Sequence, residues 1–257
     1  MPILEAKGIT KRFGGLEALN NVDLRVEAGQ LVGLIGPNGA GKSTFFNVLS
    51  GVTRPTSGKI LFDGEDITGM KPHRIAGKGL VRTFQATRLF ANLSVVENAQ
   101  IACHIPARTN IVGDLIGLPA VTRREGEARE RALDIVKLAG LETVSGELAK
   151  NLSHGYQRAL GVAIALATKP RLLCLDEPVT GMNDDETRFM TGFIERIREG
   201  GITIILVEHA MKVVMGICDK VVCLNFGRKI AEGTCQDIQC NKDVIEAYLG
   251  RPEEDAA

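Results

Sequence analysis

Residues Gly36 to Thr44 read GPNGAGKST, a Gly-rich stretch that ends in Lys42-Ser43-Thr44. The pattern G-x-x-x-x-G-K-S/T belongs between a strand and a helix, where small residues let successive backbone N–H groups curl around phosphate oxygens. Both flanks comply. Gln30 to Ile35 (QLVGLI) is an apolar run of buried-strand length, and Lys42 to Leu49 continues as a helix. A helix starting there adds partial positive charge at the anion. Through its length, Lys42 would reach the β- and γ-phosphates of a nucleoside triphosphate, and the Ser43 hydroxyl would ligate Mg²⁺.

Further along, Leu172 to Pro178 reads LLCLDEP. An apolar strand ending in Asp176-Glu177 places two carboxylates at the C-terminal edge of a sheet. Asp176 would hold the metal shell, and Glu177 would orient or deprotonate an attacking water. Ile202 to Val207 (ITIILV) is another continuous apolar run, so short buried strands alternate with helical patterns, as in a mostly parallel sheet. Ile3 to Glu27 and Lys220 to Ile230 alternate more loosely around Gly14-Gly15 and Phe226-Gly227, and read as antiparallel. From Ser94 to Thr168 the pattern is helical. Ala132, Ile135, Val136 and Ala139 recur on one helix face, as do Leu160, Ala163, Ile164 and Ala167. Between these helices, His104 to Thr122 reads as a surface loop or partner contact.

Composition sets the limits. The 257 residues are 44% hydrophobic and 24% charged, as in ordinary globular chains. Lys plus Arg and Asp plus Glu both number 31, so no basic surplus points to nucleic acid. Every apolar run is too short to cross a bilayer, and the N-terminus lacks the apolar core of a secretory signal, which points to a cytoplasmic protein. Cys103, Cys174, Cys218, Cys223, Cys235 and Cys240 have no metal-ligand spacing and read as reduced apolar fillers.

The order of motifs resembles the ATP-binding subunit of ATP-binding cassette (ABC) transporters along essentially the whole chain. Leu152 to Arg158 (LSHGYQR) is similar to that family's signature loop, usually written LSGGQ. Arg82 to Gln85 (RTFQ) resembles its glutamine loop, and Glu208-His209 its switch histidine. The resemblance implies an α/β fold: a RecA-like P-loop NTPase core with an antiparallel β subdomain (1–85 and 169–250), an inserted helical subdomain (86–168) and a frayed tail (251–257). It implies that ATP is held by Gly36, Pro37, Asn38, Gly39, Ala40, Gly41, Lys42, Ser43 and Thr44, with Phe13 stacking on adenine. Mg²⁺ would be met by Ser43, Gln85 and Asp176. Catalysis would fall to Glu177, His209, Lys42 and Gln85. Two such subunits would pack head to tail, with Ser153 and Gly155 of one reaching the γ-phosphate held by the other. His154, Tyr156 and Asn183 depart from the usual Gly, Gln and Asp.

RTFQATRLF, the GMN after the second motif, EHAMKVVMGICDKVVCLNFGRKIAEGT and the terminal EAYLG resemble the longer ATPase subunit of branched-chain amino-acid importers. That likeness implies as partners a second ATPase subunit of a related type (or, in isolation, a second copy of this chain), two integral membrane permease subunits, and indirectly a periplasmic or extracellular substrate-binding protein. RTFQATRLF, with Leu89-Phe90 a few residues after Gln85, places the docking groove beside Gln85 to Ala91 and the helices after Ser94. It places the chain at the cytoplasmic face of the inner membrane. The ATPase of a lipopolysaccharide-export or other ABC complex, a soluble ABC protein and a non-hydrolysing nucleotide switch are the alternatives.

Overall fold

A computed structural model describes residues 2–83, 89–104 and 119–249. The chain forms two compact units. One combines the residues up to 82 with 171–180 and those from 198 onward; the other combines 83–170 with 181–197.

The first unit holds ten strands among its described residues: β1 (Pro2–Phe13), β2 (Leu16–Glu27), β3 (Leu31–Ile35), β4 (Ser57–Phe62), β5 (Glu65–Asp66), β6 (Leu80–Arg82), β7 (Leu172–Asp176), β8 (Thr203–Val207), β9 (Lys220–Asn225) and β10 (Arg228–Gly233). They form two sheets. An antiparallel one has the order β2-β1-β4-β5, and a six-stranded one the order β10-β9-β3-β8-β7-β6. In the second sheet β3, β6, β7, β8 and β9 run parallel, and only β10 is antiparallel. Strands covered on both faces need apolar residues throughout. That is why β3 and β8 are buried along their full length. Val32 and Leu34 join a core with Phe45, Phe46 and the first sheet's Leu4, Ile9 and Leu24. Ile35, Val221 and Cys223 join a second core with Val214, Ile238 and Val244. The turn expected at Phe226-Gly227 joins β9 to β10, though β9 also pairs in parallel with β3.

The second unit contains the helices Val95–His104, Pro119–Leu138 and His154–Ala167. Ala132, Val136, Ala139, Leu160 and Ala163 are buried, as the helical spacing predicts. Buried Asn98 ties the entering segment to the first helix. Its side chain accepts from the Phe90 N–H at 2.9 Å and donates to the carbonyls of Phe90, Leu93 and Ser94.

Several boundaries differ from expectation: the core segment expected over 1–85 ends at 82, and the helical unit expected over 86–168 takes in 83–170. Residues 119–122 are helical rather than loop, as part of the helix Pro119–Leu138. Most of the helix Asp184–Glu199, expected with the core, groups as far as 197 with the other helices. Its Phe189 ring meets Tyr156 edge-on at 5.3 Å, and its Arg196 donates to the Leu138 carbonyl at 3.0 Å.

Candidate functional site

Between β3 and the helix Lys42–Leu49 the backbone is fixed by close approach. At Gly36 φ is 146°, and a Cβ would stand 2.1 Å from the Leu224 carbonyl oxygen; at Gly41 φ is 103°, with a Cβ 2.9 Å from that of Ala18. Only glycine fits either place. The β9–β10 turn braces the loop, because the Gly227 N–H donates to the Ala40 carbonyl at 3.0 Å while its own carbonyl accepts from Asn20 at 2.8 Å. Inside the loop, buried Lys42 donates from Nζ to the carbonyls of Gly36 (2.7 Å) and Pro37 (2.9 Å). Burial pulls its pKa down, and the negative charges of Glu177 and Asp176 oppose that. A cavity of about 340 Å³ opens beside the loop, lined by Leu16, Ala18, residues 39–44 and Phe226.

Asp176 ends β7, and its Oδ2 accepts from the Arg82 guanidinium on neighbouring β6 at 2.8 Å. The next residue, Glu177, has a φ of 50°, a left-handed conformation rare for a side-chain-bearing residue. Its N–H donates to the Val207 carbonyl at 2.9 Å. This twist sets the carboxylate against the end of β8, with Oε1 2.9 Å from His209 Nε2 and Oε2 accepting from the Thr180 hydroxyl at 3.3 Å. Glu208 is 1% exposed, and its carboxylate accepts from the N–H groups of Val179 (2.8 Å) and His209 (3.1 Å). Burial pushes its pKa up against those backbone donors. Lys42, Asp176, Glu177 and His209 thus belong to one unit, with both carboxylates in electrostatic contact with the Lys42 ammonium.

In the second unit, Ser153 caps the helix His154–Ala167, its hydroxyl accepting from the Tyr156 N–H at 3.3 Å. The Gly155 N–H donates to Glu186 Oε1 at 3.0 Å, where an added Cβ would press on that carboxyl at 2.9 Å. Asn183 receives the N–H groups of Asp185 and Glu186 on its side chain, while Glu186 Oε2 accepts from the Asn183 N–H. The Gly155 and Asn183 donors hold the Glu186 carboxyl below its usual pKa.

With this geometry in place, residues 19–180 match the ABC transporter family. The chain belongs to that family. Residues 228–254 of this ABC cassette also match a family described as branched-chain amino acid ATP-binding cassette transporter. Among relatives, the high-affinity branched-chain amino acid transport ATP-binding protein BraF of Pseudomonas aeruginosa is 47% identical over 250 residues, covering 97% of this chain and 98% of BraF. LivG of Escherichia coli, named for the same transport role, is 43% identical over 250 residues, with 97% and 98% covered. Among solved structures, the ADP conformation of an ATP-binding cassette of an ABC transporter superposes with a TM-score of 0.85 at 30% identity, covering 98% of this chain and all of that one. A dimeric cassette in a post-hydrolysis state, bound to ADP and Pi, gives 0.74 at 25% identity, with 90% and 98% covered.

Other expected ABC positions fall as follows. Gln85 lies outside the described residues. Phe13 ends β1, half exposed, with the Lys11 ammonium 4.8 Å from its ring centre, and it does not line the cavity beside the loop. Exposed Leu16 and Phe226 do line it, and their sequence context carried no sign of this. No sequence motif marks a role for Arg82, Glu186 or the Glu208 carboxylate. A charged residue directly after a strand as apolar as ITIILV was the available signal for Glu208.

Proposed function

We propose that this chain is an ATP-hydrolysing subunit of an ABC importer for branched-chain or similarly hydrophobic amino acids. The match over residues 228–254 carries the substrate class, since it lies outside the segment matched by ABC transporters in general. The phosphates of ATP bind in the loop 36–44, drawing the Lys42 ammonium from the Gly36 and Pro37 carbonyls onto the β- and γ-oxygens. Glu177 accepts the proton of the attacking water, and His209, already on its Oε1, orients that carboxylate. Magnesium prefers hard oxygen donors and few protein ligands, and the Ser43 hydroxyl and Asp176 carboxylate fit that preference, with Gln85 as a third candidate. The ion would neutralise charge on the β- and γ-phosphates. Among the described residues no helix is long and apolar enough to cross a membrane, and two integral membrane subunits supply the path for the amino acid. A second ATPase subunit completes the pair, its bound nucleotide meeting Ser153 and Gly155 of this chain.

The test is purification of the tagged chain from detergent-solubilised membranes with its bound partners, followed by reconstitution into liposomes. ATP hydrolysis should rise with leucine-loaded binding protein and accompany leucine uptake. Membrane partners that respond to no hydrophobic amino acid would refute the substrate class.

A further inference from the structure

The C-terminal helix Lys242–Leu249 is too far along the chain to belong to any nucleotide motif, yet one of its side chains enters the phosphate loop. The backbone N–H of Gly36, a buried residue, donates to the Tyr248 hydroxyl oxygen at 2.8 Å. The carbonyl of the same Gly36 accepts from Lys42 Nζ at 2.7 Å. Gly36 is therefore a relay, with the C-terminal helix attached on one side and the phosphate-binding lysine on the other. Its third constraint is the wall of β9, since an added Cβ would lie 2.1 Å from the Leu224 oxygen. The same helix forms the outer wall of a second cavity, about 600 Å³, in which Asp243, Glu246 and Ala247 face Pro37 to Ala40.

From this arrangement we infer that Tyr248 is a positioning residue for nucleotide binding: it fixes the backbone of Gly36, and through Gly36 the start of the phosphate loop. Strands and helices satisfy most backbone donors, but Gly36 follows the last residue of β3 and precedes the helix, so its N–H depends on a side chain. Removing the acceptor leaves a buried donor unsatisfied, and the loop is the part free to rearrange in response. The segment 228–254, which separates branched-chain cassettes from the general family match, thereby acquires a task at the nucleotide. Half-buried packing of the Tyr248 ring is a separate contribution, so a phenylalanine isolates the oxygen.

The inference rests on nucleotide binding by the loop and is tested with the full-length chain, comparing wild type, Tyr248→Phe and, as a control on the same helix, exposed Leu249→Ala. Affinities for MgATP and MgADP are measured by calorimetry, steady-state kinetics give KM and kcat, and ¹⁵N-glycine spectra follow the Gly36 amide. Tyr248→Phe should weaken both nucleotides by about three- to tenfold and raise KM in parallel, with kcat at saturation within about twofold. It should also shift the Gly36 amide in nucleotide-free protein. Leu249→Ala should do none of these. A Tyr248→Phe protein with wild-type affinities and an unmoved Gly36 amide, changed only in thermal midpoint, overturns the proposal. So does a Gly36 amide that exchanges freely with solvent in wild type, a measurement independent of any variant. Failure of wild type itself to bind MgATP would refute the nucleotide reading, while the nucleotide-free amide shift would still report on the Tyr248 contact.

Discussion

Glu208 joins the segment after Glu177 to the segment bearing His209, and both of its oxygens accept from backbone N–H groups. A glutamine there must turn its NH₂ toward one of those donors. Glu208→Gln should therefore lower kcat about tenfold or more, through displacement of the Glu177–His209 pair, with MgATP affinity within about twofold. Unchanged kcat at saturating ATP would remove Glu208 from the mechanism. Glu186 gives a pH prediction. Its folded pKa lies below the ordinary 4.5, so the folded state binds fewer protons there, and its stabilisation is present above 4.5 and lost as pH falls through the folded value. Glu186→Gln should be less stable than wild type at pH 7, with the gap closing as pH falls from 4.5 through the folded value. Denaturant titrations across this range measure this; a gap independent of pH would contradict it. The contiguous loop 36–44 was readable because its meaning is local. Glu208, Arg82 and Tyr248 were not, because each acts on a backbone or side chain that only folding brings near: Tyr248 meets a residue 212 positions away.

At the scale of elements, length decided what could be read. β3, β7 and β8 announce themselves as unbroken apolar runs between turns. β5 has two residues and β6 three, too few for any periodicity, and they exist because Leu61 and Leu172 offer neighbouring strands to pair with. The helix Asp184–Glu199 shows its acidic first turn and apolar stripe in sequence, but the unit it joins is fixed by Phe189 on Tyr156 and by Glu186 on Gly155. The segment leading into the helix Val95–His104 has a similar division of labour. Asn98 anchors the backbone at Phe90 on both sides, leaving the Phe90 ring 53% exposed. A fixed backbone with an exposed aromatic suits contact with a membrane subunit. Phe90→Glu should abolish coupled uptake in reconstituted complexes while the isolated chain keeps ATPase activity within about twofold. Wild-type uptake by that variant would show that the docking groove lies elsewhere.

For the whole molecule, the decisive property is that the residues proposed to meet nucleotide divide between the two units. The loop 36–44, Glu177 and His209 belong to the first; Ser153 and Gly155 belong to the second. In the proposed head-to-tail pair, ATP itself is the bond between subunits, and hydrolysis releases it. Glu177→Gln tests this arrangement. Glutamine keeps the shape of the side chain and can still meet His209, but it does not accept the proton of the attacking water, so turnover should fall by ~10²–10⁴-fold. Removing a negative charge that faces the triphosphate also favours the closed form. ATP should then drive the variant, mixed with its partner ATPase, into a stable pair that elutes early in size exclusion, and ADP should not. The pair should form in the same proportion with a non-hydrolysable ATP analogue on wild-type chains, because both conditions block the same release step. Pairing with ADP but not ATP, or normal turnover by the variant, would break the link between the Glu177 proton transfer and subunit separation.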